Sequence, residues 1–110
     1  MTYGSSAPSL PALPKIKPGT ETQEVTRLAP RFKVLIHNDD ITPMHFVVMV
    51  LNAFFRKNFD EAMEVTMTAH NKGLALVGVY GLEEAEHRVD QAHSKARGVK
   101  YPLKFTIEPD

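Results

Sequence analysis

Phe32-Lys33-Val34-Leu35-Ile36-His37-Asn38-Asp39-Asp40-Ile41-Thr42-Pro43-Met44 joins two periodicities, and the fold follows from where one gives way to the other. Up to His37, Phe32, Val34 and Ile36 alternate with Lys33 and Leu35, which is the period of a strand. Beyond Pro43, Phe46, Val47, Val50, Leu51 and Phe54 recur at helical spacing. Thr42 is the expected N-cap, and Pro43 the expected first helical residue, where a missing N–H costs nothing. Asp39 and Asp40 therefore fall on a short strand-to-helix turn, beside a helix N-terminus whose dipole favours ionised carboxylates. Such a turn suits a cation, whether a metal, an amine or an Arg.

Downstream of the first helix, expected over about Pro43 to Lys57, the pattern reads helix, strand, helix, strand. Asn58 or Asp60 caps a second helix, and Gly73 ends it. Leu74 to Tyr80 is a short apolar run with an internal glycine, read as a buried strand. Ala85, Val89, Ala92 and Ala96 share one face of a third helix that ends at Gly98. Leu103, Phe105 and Ile107 alternate with Lys104, Thr106 and Glu108 in a last strand with one wet face. The expectation is an α+β fold, a compact sandwich of a three-stranded sheet and three helices in the order β-α-α-β-α-β. Strand direction is left open by the sequence.

Upstream, residues 1 to about 30 carry Pro8, Pro11, Pro14, Pro18 and Pro30 among Ser, Thr and Gly, with no period. That composition predicts a disordered N-terminal extension over 1–30, followed by one folded domain over 31–110. Formal net charge is zero, from 13 basic and 13 acidic residues, which argues against a nucleic-acid binder. No apolar run is long enough to span a bilayer, and the N-terminus lacks the apolar segment of a signal peptide. The absence of Cys excludes disulfides and thiolate metal sites and suits a reducing cytoplasm.

Four pieces of the chain are candidates to meet in space. They are the Asn38-Asp39-Asp40 turn, the first-helix face at Met44, Val47 and Leu51, the second-helix face at Thr66, Ala69 and His70, and Leu103. A carboxamide, two carboxylates and an imidazole beside apolar side chains form a half-polar pocket with no fixed positive charge. That chemistry suits an ammonium attached to an apolar group. Each piece also has a plainer use: Asn and Asp stabilise turns, and a helix-terminal His interacts with the dipole. Met44, Met49, Met63 and Met67 read as core filling rather than as a binding stripe. His37, His45, His70, His87 and His93 form no Glu-flanked i, i+4 pair, so no metal or other cofactor is expected. No glycine-rich phosphate loop occurs, and Ser is confined to the first nine residues and Ser94, which argues against a serine triad.

The set Asn38-Asp39-Asp40, Thr42-Pro43-Met44, Phe46-Val47-Val48, Leu51 and Phe54-Phe55 resembles the ClpS family of bacterial N-end rule adaptors. The likeness continues through Ala69-His70, Gly73, Gly78-Val79-Tyr80, Glu83, Ala85-Glu86, Val89, Ala96-Arg97 and Pro102-Leu103. It covers roughly residues 31 to 108. The resemblance implies a cytoplasmic, monomeric, non-enzymatic adaptor. Such a protein binds the destabilising N-terminal residue (Phe, Tyr, Trp or Leu) of a substrate polypeptide. It delivers that polypeptide to the N-domain of a ClpA/ClpC-type AAA+ unfoldase, for degradation by ClpP. By the same resemblance Asn38, Asp39 or Asp40, and His70 hold the α-amino group. Ile36, Thr42, Met44, Val47, Thr66, Ala69 and Leu103 line the side-chain pocket, and Glu83, Glu86 and Arg88 meet the unfoldase. An α-ammonium offers three charged donors to these acceptors, so a free N-terminus is distinguished from an amide. His70 must be neutral to accept and the amine protonated to donate, which predicts bell-shaped binding in pH.

This chain departs from the family pattern at two of those pocket positions, at His45, and at Arg88, which stands where a Lys is common. Thr66 and Ala69 stand where the family generally has Met and Val or a similar residue. Both changes remove volume from one helix face, which predicts a roomier pocket for bulky aromatics, with Thr66 bonding a Tyr hydroxyl or Trp N–H. The same departures keep open a second reading, an unfoldase-docking regulatory module with altered or lost N-degron recognition. His45 takes the place of an acidic residue three positions after Thr42, so half of a capping box is missing and a looser turn is expected. A third reading, a metal-dependent enzyme built on Asp39, Asp40 and His70, would need further ligands to converge there.

Overall fold

The computed structural model describes residues 29–110, and the expected disordered extension lies almost wholly outside them. Within Arg31–Asp110 the elements run β1 (Phe32–His37), α1 (Met44–Phe55), α2 (Phe59–Lys72), β2 (Leu74–Tyr80), α3 (Leu82–Gly98) and β3 (Lys104–Pro109). The sheet order is β2-β1-β3, and both pairings are antiparallel. β1 is central: all six of its residues pair with β2 on one side and with β3 on the other. Val34 and Ile36 of β1, Ala75 and Val77 of β2, and Phe105 of β3 are buried together. Phe46, Val47, Val50, Leu51 and Phe55 of α1, Ala62 and Ala69 of α2, and the alanine stripe with Val89 of α3 complete that core. The alanines on α3 matter because small side chains let that helix lie close to the sheet.

β2 contains an irregularity that its uniformly apolar sequence does not signal. Val34 pairs with Gly78 but Leu35 pairs with Leu76, so Val77 is an extra residue. The bulge turns two successive residues toward the helices and brings Tyr80 inward as well. The Tyr80 ring then lies across Gly78, where a Cβ would sit 2.7 Å from the phenol oxygen. Its centroid is 6.4 Å from that of Phe55, and the Arg88 guanidinium stands 5.3 Å above the ring. Arg88 also donates to the Phe54 carbonyl at 2.8 Å and to Glu84 at 2.7 and 3.0 Å, tying α3 to the C-terminal end of α1.

Three local expectations are corrected. Pro43, not Thr42, occupies the N-cap of α1, in extended geometry and without a side-chain cap, and its carbonyl accepts from Phe46 and Val47. Thr42 lies one residue before the cap, its N–H and its hydroxyl both donating to Asp39, so the half-missing capping box has no counterpart here. α1 also ends two residues early, at Phe55, where Arg56 adopts a left-handed conformation with φ 57°. The methionines are not core filling: Met44, Met49 and Met67 are exposed and Met63 is half-buried, because Phe46, Val47, Val50 and Leu51 already occupy the inner face of α1. α2 follows expectation, with a full capping box between Asn58 and Glu61 and Gly73 in a left-handed cap at φ 85°.

Candidate functional site

Asp39 organises the turn between β1 and α1. Its Oδ1 accepts from the backbone N–H of Ile41 at 2.8 Å and of Thr42 at 2.6 Å, while Oδ2 accepts from the Thr42 hydroxyl at 2.9 Å. Three donors on one carboxylate fix the turn where a bare loop would fluctuate. The turn is anchored a second time from Asn38, whose N–H donates to the Gly73 carbonyl at 3.0 Å. Gly73 itself donates to the Ala69 carbonyl at 2.7 Å. The C-terminal end of α2, with His70 in its last turn, is thereby drawn beside Asn38-Asp39-Asp40.

The other wall comes from α1 and the segment before β3. Met44 is the first residue of α1, and Val47 lies about one turn on, on the same side. Leu103 is buried just ahead of β3, and its segment is held from two sides. The Phe46 ring meets the Tyr101 ring edge-on at 4.9 Å, and the Tyr101 N–H donates to the Ala96 carbonyl at 2.9 Å. His93 of α3 takes the N–H of Phe105 on Nε2 at 2.9 Å, so its proton resides on Nδ1. Burial, and then the nearby Arg97 charge, hold the His93 pKa below the ordinary imidazole value despite Asp90, which keeps that acceptor unprotonated. Burial likewise raises the Tyr80 phenol against the opposing effect of Arg88.

These elements enclose a cavity of about 200 Å³. Ile36, Thr42, Met44, Val47, Thr66, Ala69 and Leu103 line it with Asn38, Asp39, Asp40 and His70, so the structure brings together the eleven residues expected at the amino-group site and side-chain pocket. Leu51, also expected on that face of α1, is buried in the core and not in the lining. His37 lines it too, and sequence reasoning did not single it out for the site. As the last residue of β1 it adjoins Asn38, and its Nε2 lies 2.8 Å from the Thr106 hydroxyl across the sheet. The polar groups gather at one side of the cavity. Asn38, Asp40 and His70 are exposed at its rim, whereas Ile36, Val47, Ala69 and Leu103 are buried in its wall. Thr66 is the one buried polar side chain among the described residues, and its hydroxyl donates to the Ala62 carbonyl at 2.7 Å. That bond consumes its only hydrogen and leaves the oxygen as an acceptor. Small side chains at Thr66 and Ala69, three residues apart on one face of α2, leave the wall open there.

The arrangement offers acceptors at the mouth and an apolar interior with one acceptor on its wall. Among the described residues, no group of three or more His, Cys, Asp or Glu side chains is placed to hold a metal ion. No helix among them is long and apolar enough to cross a membrane. Glu83 and Glu86 are exposed on α3, away from the cavity lining, and Arg88 is turned inward as described above.

Comparison with known proteins supplies a family match. The family model for the ATP-dependent Clp protease adaptor protein ClpS matches residues 27–106. The ATP-dependent Clp protease adapter protein ClpS of Ruegeria sp. (strain TM1040) is 50% identical over 91 residues, covering 83% of this chain and 80% of that protein. Its counterpart in Rhodospirillum centenum is 40% identical over 108 residues, covering 98% and 94%. The structure of Agrobacterium tumefaciens ClpS2 bound to L-phenylalaninamide superposes with a TM-score of 0.72 at 41% identity, covering 74% of this chain and 98% of that one.

Proposed function

Because this chain belongs to the ClpS family of Clp protease adaptors, and is therefore an adaptor and not an enzyme, we propose that its cavity captures the N-terminal residue of substrate polypeptides. The observation that carries this reading is the division of the cavity into an acceptor-lined mouth and an apolar interior. In it Asn38, Asp40 and His70, with the remaining lone pairs of Asp39, receive the three N–H donors of an α-ammonium. The side chain of residue one enters between Met44, Val47, Ala69 and Leu103. An acetylated or internal amide has no charge and at most one donor, leaving acceptors unpaired at about 1–3 kcal/mol per buried group. The apolar interior ranks side chains by buried area, at about 25 cal/mol per Å². That Agrobacterium tumefaciens ClpS2 binds L-phenylalaninamide, a free amine on an aromatic residue, supports the same use here.

The second half of the proposed role is delivery of the captured polypeptide to a ClpA/ClpC-type unfoldase in the cytoplasm, through the α3 face that carries Glu83 and Glu86. Arg88, with its guanidinium already engaged by Phe54 and Glu84, acts there by holding α3 in place. Fluorescence-anisotropy titration of peptides differing only at residue one (Phe, Trp, Tyr, Leu, Val and acetyl-Phe) tests the capture step. Binding of the free aromatic and Leu peptides, abolished by acetylation, is the expected result. Uniform failure to bind would leave a docking module without N-degron recognition.

A further inference from the structure

A second concave surface begins where the cavity ends. It is a groove of about 660 Å³ between the outer sides of α1 and α2, lined chiefly by Met44, His45, Val48, Met49, Phe59 and Met63. Met44 belongs to both linings, so one side chain separates groove from cavity. The groove contains no carboxylate, Lys or Arg, and its apolar side chains lie open: Phe59 is 66% exposed, Met44 39% and Met49 37%. Apolar side chains grouped in this way, next to a binding cavity, mark a contact surface.

We propose that this groove is a subsite for the third residue of the polypeptide whose first residue occupies the cavity, and that it selects large apolar side chains there. The inference rests on the reading of the cavity as an N-terminal-residue site. A bound polypeptide must continue past the cavity mouth. In an extended chain, side chains alternate sides, so residue three returns to the face of residue one about 7 Å further on. A chain crossing Met44 therefore presents its third side chain to Val48, Met49 and Met63. Residue two points away from the protein. The lining holds no Lys or Arg, only His45 and Asn52 as polar side chains, so a carboxylate loses hydration there without meeting a fixed positive charge. The flexible thioethers of Met44, Met49 and Met63 adapt to different apolar shapes, as a surface serving many substrates requires. The groove is also too small for a second copy of the chain, since a stable interface takes about 20–30 residues a side.

The test uses the full chain and anisotropy competition with four peptides beginning Phe-Gly-Gly, Phe-Gly-Leu, Phe-Gly-Asp and Phe-Leu-Gly, with L-phenylalaninamide as a reference that stops at residue one. Leu at position three is expected to bind about fivefold more tightly than Gly, as partial burial of its side chain gives. Asp at position three should gain nothing, and Leu at position two should gain less than Leu at position three. Met49→Glu and Met63→Glu, each on the groove and outside the cavity, should erase the position-three gain and leave L-phenylalaninamide binding unchanged. Equal binding of all four peptides, or a Leu gain that survives both variants, overturns the subsite. So does a flat peptide ranking with concentration-dependent self-association that Met49→Glu abolishes, which would assign the groove to a second copy. Failure of L-phenylalaninamide itself to bind removes the N-terminal-residue reading first, and the subsite with it.

Discussion

Replacing Thr66 by Val isolates the one polar atom in the interior of the proposed pocket. The change keeps a β-branched side chain of nearly the same shape, so it alters chemistry with little effect on volume. Thr66 is only 4% exposed, and its hydroxyl hydrogen goes to the Ala62 carbonyl at 2.7 Å. Within α2 that carbonyl remains inside the regular i to i−4 ladder, so losing the hydroxyl does not open the helix. The pocket loses an acceptor. A neutral hydrogen bond contributes a net 0.5–1.5 kcal/mol, which corresponds to about two- to tenfold in affinity. Peptides beginning with Tyr or Trp have a donor to offer it, whereas Phe and Leu do not. The expected result is a two- to tenfold fall in Tyr or Trp affinity relative to Phe in the valine variant. Phe itself should be unchanged or slightly favoured by the added apolar surface. Isothermal titration calorimetry with peptides identical beyond residue one measures each ratio directly. The same Tyr-to-Phe and Trp-to-Phe ratios in wild type and variant would refute an acceptor role for Thr66. A stronger preference for Leu than for any aromatic would refute the enlarged pocket as well.

Three further outcomes concern the frame that holds the site. His93 has its folded-state pKa lowered, so it contributes full stability above the unfolded imidazole value near 6.5, and that stability is lost as pH falls toward the folded value. Thermal melts from pH 8 to pH 5 should show this decline, and His93→Gln, which keeps an acceptor for Phe105 but cannot titrate, should flatten it; an unchanged slope would contradict the assignment. Gly78→Ala places a methyl group within 2.7–3.0 Å of the Tyr80 ring, so it should displace that ring from Arg88 and cost about 1–3 kcal/mol in urea denaturation. A wild-type midpoint would show that Tyr80 moves freely. Asn58→Ala removes the side-chain half of the α2 capping box, the 2.8 Å bond from the Glu61 N–H, while the backbone N–H of residue 58 can still donate to Glu61, and it should cost about 1 kcal/mol by the same measurement.

The order of elements was legible because most segments carry a clear period and the one that does not, Leu74 to Tyr80, is a short apolar run between helix-ending and turn glycines. Val34 and Ile36 mark one side of a strand, and Val47, Val50 and Leu51 one stripe of a helix, so their burial follows from spacing alone. The residues gathered at the cavity were legible from two sources, the helical spacing that puts Thr66, Ala69 and His70 on one face and the resemblance to the ClpS family. What was hidden depends on competition between atoms, to which period is blind. Thr42 has the composition of an N-cap, but Asp39, three residues earlier, claims both its N–H and its hydroxyl. Leu74 to Tyr80 is apolar throughout, so the run has no phase to betray the extra residue at Val77. The exposed methionines were misread because Met suits a core and an adaptable surface equally, and only the occupied inner face of α1 decides between them.

The same competition explains how the turn combines support with recognition. Asp39 spends most of its hydrogen-bonding capacity on Ile41 and Thr42, and Asn38 commits its backbone N–H to Gly73, yet the Asn38 side chain and the Asp40 carboxylate stay at the exposed rim. One carboxylate therefore stiffens the loop while its neighbour remains available, so acceptors need little reordering when a donor arrives. Fixing them in advance favours association, since side-chain ordering costs about 0.5–1.5 kcal/mol for each group immobilised on binding. Because Gly73 ends α2 and also receives Asn38, His70 is located by the same contact that locates the turn. The acceptor constellation is thus a product of two element junctions meeting, which is why residues more than thirty positions apart in the chain form one mouth.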